Sequence, residues 1–436
     1  MRITGRKPVS VLLAFLTAAT LGVSALAGSA ATWAATTLLL GATFVSDPMA
    51  NSGYAQGAID YYVNPTTLCA VQTCATKPVV TPETFWPFTG LADLTIDESI
   101  TQGTTIINEA INGELTGGTD TIVVFGNSQS SSILTHEKRN LVGLSAQDKG
   151  RLTFVLVANP NRPNGGMLER FFPVSSPSLG LTASGATPTD TGIQTVDIAF
   201  QYDGVADLPL RPLNLLADLN VLFGAYLHSS YVSSGSGYTP DELVAAINDP
   251  ANRQVYGDTT YITIPAKRLP LLVPLRDLGQ ALGLSGLTTP IADLLEPTLR
   301  VLVESGYDRS IPYGQPTTFD FHPKIDDPKL ITDLQAAGKA GVRAALADIG
   351  ATPSRPSQSP SNTAVSASNA TTSVASTAGK APSAAIGRSA RKTKTDPAPA
   401  GASVAPDENA TAADKPANHT VAATRRSAQR STHHSE

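Results

Sequence analysis

Between Thr36 and Gly350, short β-branched apolar runs alternate with longer amphipathic ones. Thr37 to Val45, Thr121 to Phe125, Leu152 to Ala158, Thr195 to Tyr202 and Thr259 to Ile264 read as strands. The run Leu152-Thr-Phe-Val-Leu-Val-Ala158 is almost wholly apolar, as a strand covered on both faces should be. Thr195 to Tyr202 alternates apolar and polar positions, as a half-covered strand does. Helical patterns lie between them, over Ser131 to Gly143, Asn214 to Leu227 and Asp241 to Ile247. Strands alternating with helices predict an α/β fold, a mainly parallel central sheet with helices on both faces.

The second strand runs into Gly126-Asn-Ser-Gln-Ser130, and a helical pattern follows at once. A Gly-x-Ser-x-Gly-like sequence between strand and helix is a nucleophile elbow, which lifts a serine Oγ above the sheet edge on a sharp turn. In the middle of such a sheet it predicts an α/β-hydrolase-like fold, with Ser128 as nucleophile. The motif departs from the usual pattern at Ser130, where glycine normally lets helix and strand approach.

A serine hydroxyl needs a base, and the base needs an orienting acid. In α/β-hydrolases these follow in the order serine, acid, histidine. His136 precedes any plausible acid and reads as a surface residue of the helix after the elbow. His228 closes the pattern Asn214 to Leu227 and is the preferred base, with His322 in reserve. Asp203 sits at the carboxyl end of the strand ending at Tyr202, and Asp207 lies four residues on. Both remain candidates for the acid, Asp203 preferred on position. The oxyanion needs two donors. One is assigned to the backbone N–H of Gln129 and the other to the turn Gly41-Ala42-Thr43, through Thr43. No metal cluster, phosphate loop or dinucleotide fingerprint occurs in the sequence, so neither cofactor nor metal is expected.

Two segments stand apart from this pattern. Asn159-Pro-Asn-Arg-Pro-Asn-Gly-Gly166 is a turn-rich loop directly after a central strand, the edge where open α/β sheets bind ligands. Arg268-Leu-Pro-Leu-Leu-Val-Pro-Leu275 carries two prolines among leucines and is not expected to be a regular helix. It reads equally as a lid over an acyl groove and as a buried connection.

Composition adds the setting. Arg2, Arg6 and Lys7 precede an apolar run from Val9 to Leu26, and Ala25-Leu26-Ala27 follows as an A-x-A site. This has the form of a signal peptide over residues 1–27, the alternative being an uncleaved anchor. Either places the protein outside the cytoplasm, secreted or in the cell envelope. The two cysteines, Cys69 and Cys74, are then expected to pair. Residues 351–436 are rich in Ala, Ser, Thr and Pro and lack aromatic residues, so disorder is expected there. Ten Lys and Arg against five Asp and Glu leave this tail at +5, and the rest of a chain of net charge -5 at -10. A basic tail suits peripheral contact with anionic lipid or wall polymer. An acidic body argues against nucleic-acid binding there.

Gly126-Asn-Ser-Gln-Ser130, Asn159 to Gly166, Tyr202-Asp-Gly-Val-Ala-Asp-Leu-Pro209 and Leu213-Asn-Leu-Leu-Ala-Asp-Leu-Asn220, with His228 after them, together resemble the PE-PPE domain, a cutinase-like serine hydrolase module of mycobacteria and their relatives. The resemblance covers most of residues 37–310. It implies esterase activity on acyl esters or lipids, or acyl transfer building trehalose glycolipids, with Ser128, an acid from the Asp203–Asp207 turn, and His228. A non-catalytic envelope protein that keeps the fold is the third reading. Two departures are visible. A signal peptide stands where an N-terminal PE or PPE helical segment is usual, and the first turn reads Gly-Ala-Thr in place of Gly-Gly-Thr.

Overall fold

The computed structural model describes residues 35–322 and 327–350. The signal-peptide and tail expectations lie outside these residues. Seven strands form the main sheet: β1 (Ala35–Leu39), β2 (Cys74–Pro78), β3 (Thr121–Asn127), β4 (Leu152–Val157), β7 (Gln194–Phe200), β8 (Arg253–Tyr256) and β9 (Thr259–Ile264). Their order is β2-β1-β3-β4-β7-β9-β8, parallel except for the β8–β9 hairpin at one edge. A separate two-residue hairpin, β5 (Ser175–Ser176) and β6 (Leu181–Thr182), lies outside the sheet.

Successive side chains of a strand point to opposite faces, so each central strand feeds two cores. From β3, Val123 and Phe125 join one apolar layer while Ile122 and Val124 join the other. The second layer is completed by α1 (Ile96–Gly117) and α2 (Gln129–Asn140), through Ile100, Ile107, Ile111, Ile133 and Leu134. The first is completed by α3 (Leu215–Phe223), α4 (Ala225–His228), α5 (Pro240–Asn248) and α7 (Ser285–Glu304). The fold is therefore α/β and hydrolase-like, with helices on both faces. Two further helices, α6 (Val273–Ala281) and α8 (Asp327–Gly350), pack on α7.

The structure revises several local expectations. The first strand stops at Leu39, because the chain folds into a tight turn with reciprocal Ala42 and Val45 backbone bonds. A Cβ on Gly41 would lie 1.6 Å from the Val45 carbonyl oxygen, so only glycine fits there. The helix expected over 214–227 breaks at Gly224, where a Cβ would meet the Tyr202 carbonyl at 2.7 Å. The leucine–proline segment after Arg268 is a buried connection, not a lid. Leu269 and Leu272 are buried, the Leu269 N–H donates to Glu296 and the Leu271 N–H donates to Asn220. Its prolines start helical turns instead of breaking one, at Pro270 and in the first turn of α6 at Pro274. Cys69 and Cys74 form a disulfide. Among the described residues no helix is long and apolar enough to cross a membrane.

Candidate active site

The carboxyl edge of the sheet concentrates backbone strain. Ser128 after β3 (φ 59°), Ala158 after β4 (φ 53°) and Tyr202 after β7 (φ 70°) all occupy the left-handed region without being glycine. Such conformations persist where surrounding contacts over-determine them, and they cluster at functional sites. At Ser128 those contacts are explicit. Its N–H donates to the Val157 carbonyl, and the Ser131 hydroxyl reaches the Gly126 and Val157 carbonyls. A Cβ on Gly126 would meet the Ser130 carbonyl oxygen at 2.8 Å, so glycine is needed where α2 crosses β3. Ser130, the departure from the usual elbow, is fully buried. Its hydroxyl accepts the Asn127 N–H at 2.7 Å and donates to the Gly41 carbonyl at 2.6 Å, tying the elbow to the first turn.

Ser128 Oγ lies 2.8 Å from Nε2 of His228, and the opposite ring nitrogen, Nδ1, lies 3.0 and 3.1 Å from the two carboxylate oxygens of Asp203. A carboxylate only accepts, so Nδ1 carries the proton and Nε2 of the neutral ring accepts from the serine. Asp203 is fully buried, and its oxygens also take the Val205 N–H and the Tyr231 hydroxyl, at 2.8 and 2.7 Å. Tyr231 in turn accepts the Phe200 N–H, which fixes its ring against the end of β7. Burial pushes the Asp203 carboxyl up, but His228, Tyr231 and the Val205 amide outweigh it and leave it below its ordinary value. Burial likewise pulls the His228 imidazole down, and the Asp203 charge and hydrogen bond reverse this, holding it above 6.5.

The other candidates lie elsewhere. Asp207 is buried against Arg309, whose two terminal nitrogens meet its oxygens at 2.6 and 3.0 Å, and it accepts the Tyr202 N–H. It shapes the turn that presents Asp203 and does not bond His228. His136 is half-buried on α2, not on the surface, and burial lowers its pKa; His322 is exposed. Neither bonds Ser128. The loop from Asn159 to Gly166 braces the same acid turn: the Leu208 N–H donates to the Gly165 carbonyl and the Met167 N–H to the Val205 carbonyl.

Gln129 opens α2, where the first N–H groups have no acceptor within the helix. Its side chain is held from three sides, accepting the Thr43 hydroxyl at 2.9 Å and donating to the Thr84 carbonyl and the Ser99 hydroxyl. The Thr43 hydroxyl is thus engaged with Gln129. In the same turn the N–H groups of Ala42, Phe44 and Val45 are spent on carbonyls; that of Thr43 has no acceptor among the described residues. The N–H groups of Gln129 and Thr43, two residues that line the same cavity as Ser128, are thus uncommitted among the described residues.

A cavity of about 420 Å³ opens on Ser128 and His228, walled by Phe44, Phe85, Ile96, Leu168, Leu181 and Val232. Sequence reasoning missed this wall and Tyr231. The wall comes from segments far apart in the chain, and Tyr231 carries no motif. Helix α1 was missed as well, although its signal lies in the sequence: Thr95 and Glu98 form a capping box ahead of the isoleucine stripe Ile100, Ile107, Ile111. Among the described residues no group of His, Cys, Asp and Glu is arranged to hold a metal.

A parallel sheet with a Ser–His–Asp array at its carboxyl edge defines an α/β-hydrolase-like protein. The PE-PPE domain profile matches residues 73–308, and the chain belongs to that family. It is 45% identical over 277 residues to the PPE family protein PPE42 of Mycobacterium tuberculosis, covering 63% of this chain and 45% of that protein. It is 39% identical over 315 residues to the esterase PE16 of the same organism, covering 71% of this chain and 56% of that one. The SL1278 acyltransferase Chp1, also from M. tuberculosis, is 32% identical over 251 residues, covering 56% and 55%. The chain spans about half the length of these relatives.

Proposed function

We propose that this chain is an exported serine esterase that cleaves acyl esters or lipids through an acyl-Ser128 intermediate. The observation that carries the reading is the hydrogen-bonded series Ser128–His228–Asp203 at the mouth of an apolar cavity. Ser128 Oγ attacks the ester carbonyl as His228 Nε2 takes its proton. Asp203 holds the tautomer and offsets the imidazolium charge. The N–H groups of Gln129 and Thr43 receive the oxyanion at the start of α2. His228 returns the proton to the leaving alcohol, and water activated by the same base releases the acid.

Acyl transfer is the second reading, in which a sugar or lipid hydroxyl replaces water. It is supported by the apolar wall of the cavity, which limits access of water, and by the likeness to an acyltransferase. The non-catalytic reading predicts a serine without a histidine partner, and the 2.8 Å contact speaks against it. Export is supported by the signal-peptide pattern and the Cys69–Cys74 disulfide. In this setting the basic composition of residues 351–436 suits contact with anionic lipid or wall polymer.

The test is labelling of the purified chain with a fluorophosphonate, followed by peptide mapping. One label on the peptide containing Ser128 is expected, and an unlabelled protein or a label elsewhere removes the reading. A pH profile gives an independent check. The base must be neutral to act, so activity is lost as pH falls through the His228 pKa. Because Asp203 holds that pKa above 6.5, the acid limb of kcat/KM is expected above 6.5. The residual activity of Asp203→Asn is expected to show its limb at lower pH, since burial remains while the opposing charge is gone. A limb that does not move assigns the titration to another group.

A further inference from the structure

We infer that the mouth of the cavity is a docking rim for the surface of an aggregated, uncharged lipid ester, an inference that rests on the esterase reading above. Large apolar side chains stand exposed there in number: Phe44 (71%), Phe88 (72%), Leu91 (84%), Phe172 (48%) and Leu179 (50%). Single exposed apolar residues are ordinary; a contiguous group marks an interaction site.

Contiguity follows from the contacts. The Phe44 N–H donates to the Glu83 carbonyl, which ties the first turn to the segment 83–94. Within that segment Phe88 packs on Phe85 with ring centroids 5.0 Å apart, and the Trp86 N–H reaches the Leu94 carbonyl, drawing Leu91 into the same loop. The loop ends at Thr95, the N-cap of α1, against which Gly180 of the β5–β6 hairpin is pressed. Asp97 fastens this hairpin to α1, its N–H donating to the Gly180 carbonyl and its carboxylate accepting from Thr182. The hairpin leads back through Val174 to Phe171, whose N–H donates to the Met167 carbonyl. Phe44, Phe85, Ile96, Met167 and Leu181 each face the cavity, so every segment of the rim also supplies a piece of its wall. The exposed rim residues thus stand on the same segments that wall the cavity at Ser128.

Charge selects the occupant. Segments 42–51, 83–97 and 171–183 contain neither lysine nor arginine, while Asp47, Asp93 and Asp97 lie in them. Anionic surfaces are recruited by basic residues, so this rim suits neutral or zwitterionic lipid. An ester held in such a phase would enter the cavity acyl chain first, without crossing water.

The test uses the full chain in a Ser128→Ala background, so that the lipid is not consumed, and measures binding to triolein droplets coated with phosphatidylcholine. Phe88→Asp with Leu91→Asp, and separately Leu179→Asp, are expected to weaken binding roughly tenfold or more, because each removes insertable apolar area. With Ser128 present, Leu91→Asp alone and Leu179→Asp are expected to keep kcat/KM on dissolved p-nitrophenyl acetate and the melting temperature, since neither side chain lines the cavity; Phe88→Asp also breaks the ring contact with Phe85 and is expected to lower the melting temperature slightly. Leu282→Asp, on the exposed face of the α6 end, is the control and is expected to bind as wild type. Binding should also persist in about 0.5 M NaCl, where Coulombic attraction is screened. Unchanged binding by the rim variants, loss with Leu282→Asp, or loss in salt overturns the inference. So does self-association that the rim variants abolish in a chain that never binds droplets. Droplet binding lost on rim substitution in a chain that hydrolyses no ester leaves the rim standing and removes only the esterase reading.

Discussion

Replacing Ser128 with alanine is expected to lower ester hydrolysis by about four to six orders of magnitude while the melting temperature stays near wild type. The size follows from the role proposed for Oγ. It forms the covalent bond to the acyl group, and among the described residues no other hydroxyl bonds His228 Nε2. Stability should be indifferent because, among the described residues, Ser128 Oγ bonds only His228, and the half-buried side chain lines the open cavity. The strained backbone at φ 59° is held by the main chain, the Val157 and Gly126 carbonyls and Ser131, none of which the substitution removes. Alanine tolerates this conformation about as poorly as serine, so the strain is carried over and not relieved. Rates on p-nitrophenyl acetate and a thermal melt decide the matter. Activity within tenfold of wild type would transfer the nucleophile to another residue, and a drop in melting temperature would show that the hydroxyl serves the fold.

The parts of this architecture written in local sequence were legible. β3 and the elbow are adjacent in the chain, and a β-branched apolar run that stops at Gly126-Asn-Ser-Gln-Ser130 with a helical pattern after it announces them. The apolar run of β4 identifies a strand covered on both faces, as the two cores confirm. Features that depend on direction or on distant contacts were not legible. Leu269 to Leu275 has the composition of a lid and of a buried connection alike, and only the docking of its backbone onto Asn220 and Glu296 separates them. The cavity wall draws on the first turn, on residues near 85 and 96, on the hairpin and on Val232. No window of sequence shows those together. Asp203 and Asp207 are four residues apart on one turn, so position alone ranks them weakly; what distinguishes them is that one faces His228 and the other Arg309.

That difference makes the two aspartates separable by mutation. Asp203→Asn is expected to reduce kcat by about three to four orders of magnitude, with a loss of melting temperature no greater than one hydrogen bond accounts for. The amide preserves the shape but keeps only one of the two oxygens that accept from Val205 and Tyr231, it can no longer offset an imidazolium, and its NH₂ favours the wrong tautomer of His228. Asp207→Asn is expected to do the reverse. Its carboxylate is buried in a bidentate contact with Arg309 and caps the strained Tyr202 amide. Losing the charge weakens one hydrogen bond to a charged group and leaves another without its acceptor, about 1.5–3 kcal/mol. Arg309 is 28% exposed at its side chain, so water recovers part of this. Several degrees of melting temperature should therefore be lost, with a modest fall in kcat as the turn presenting Asp203 loosens. Measuring kcat on a soluble ester beside a thermal melt for both variants separates the roles. If Asp207→Asn is the one that abolishes activity at unchanged stability, the acid has been assigned to the wrong end of the turn. Equal and mild losses from both would show that His228 works without a carboxylate partner.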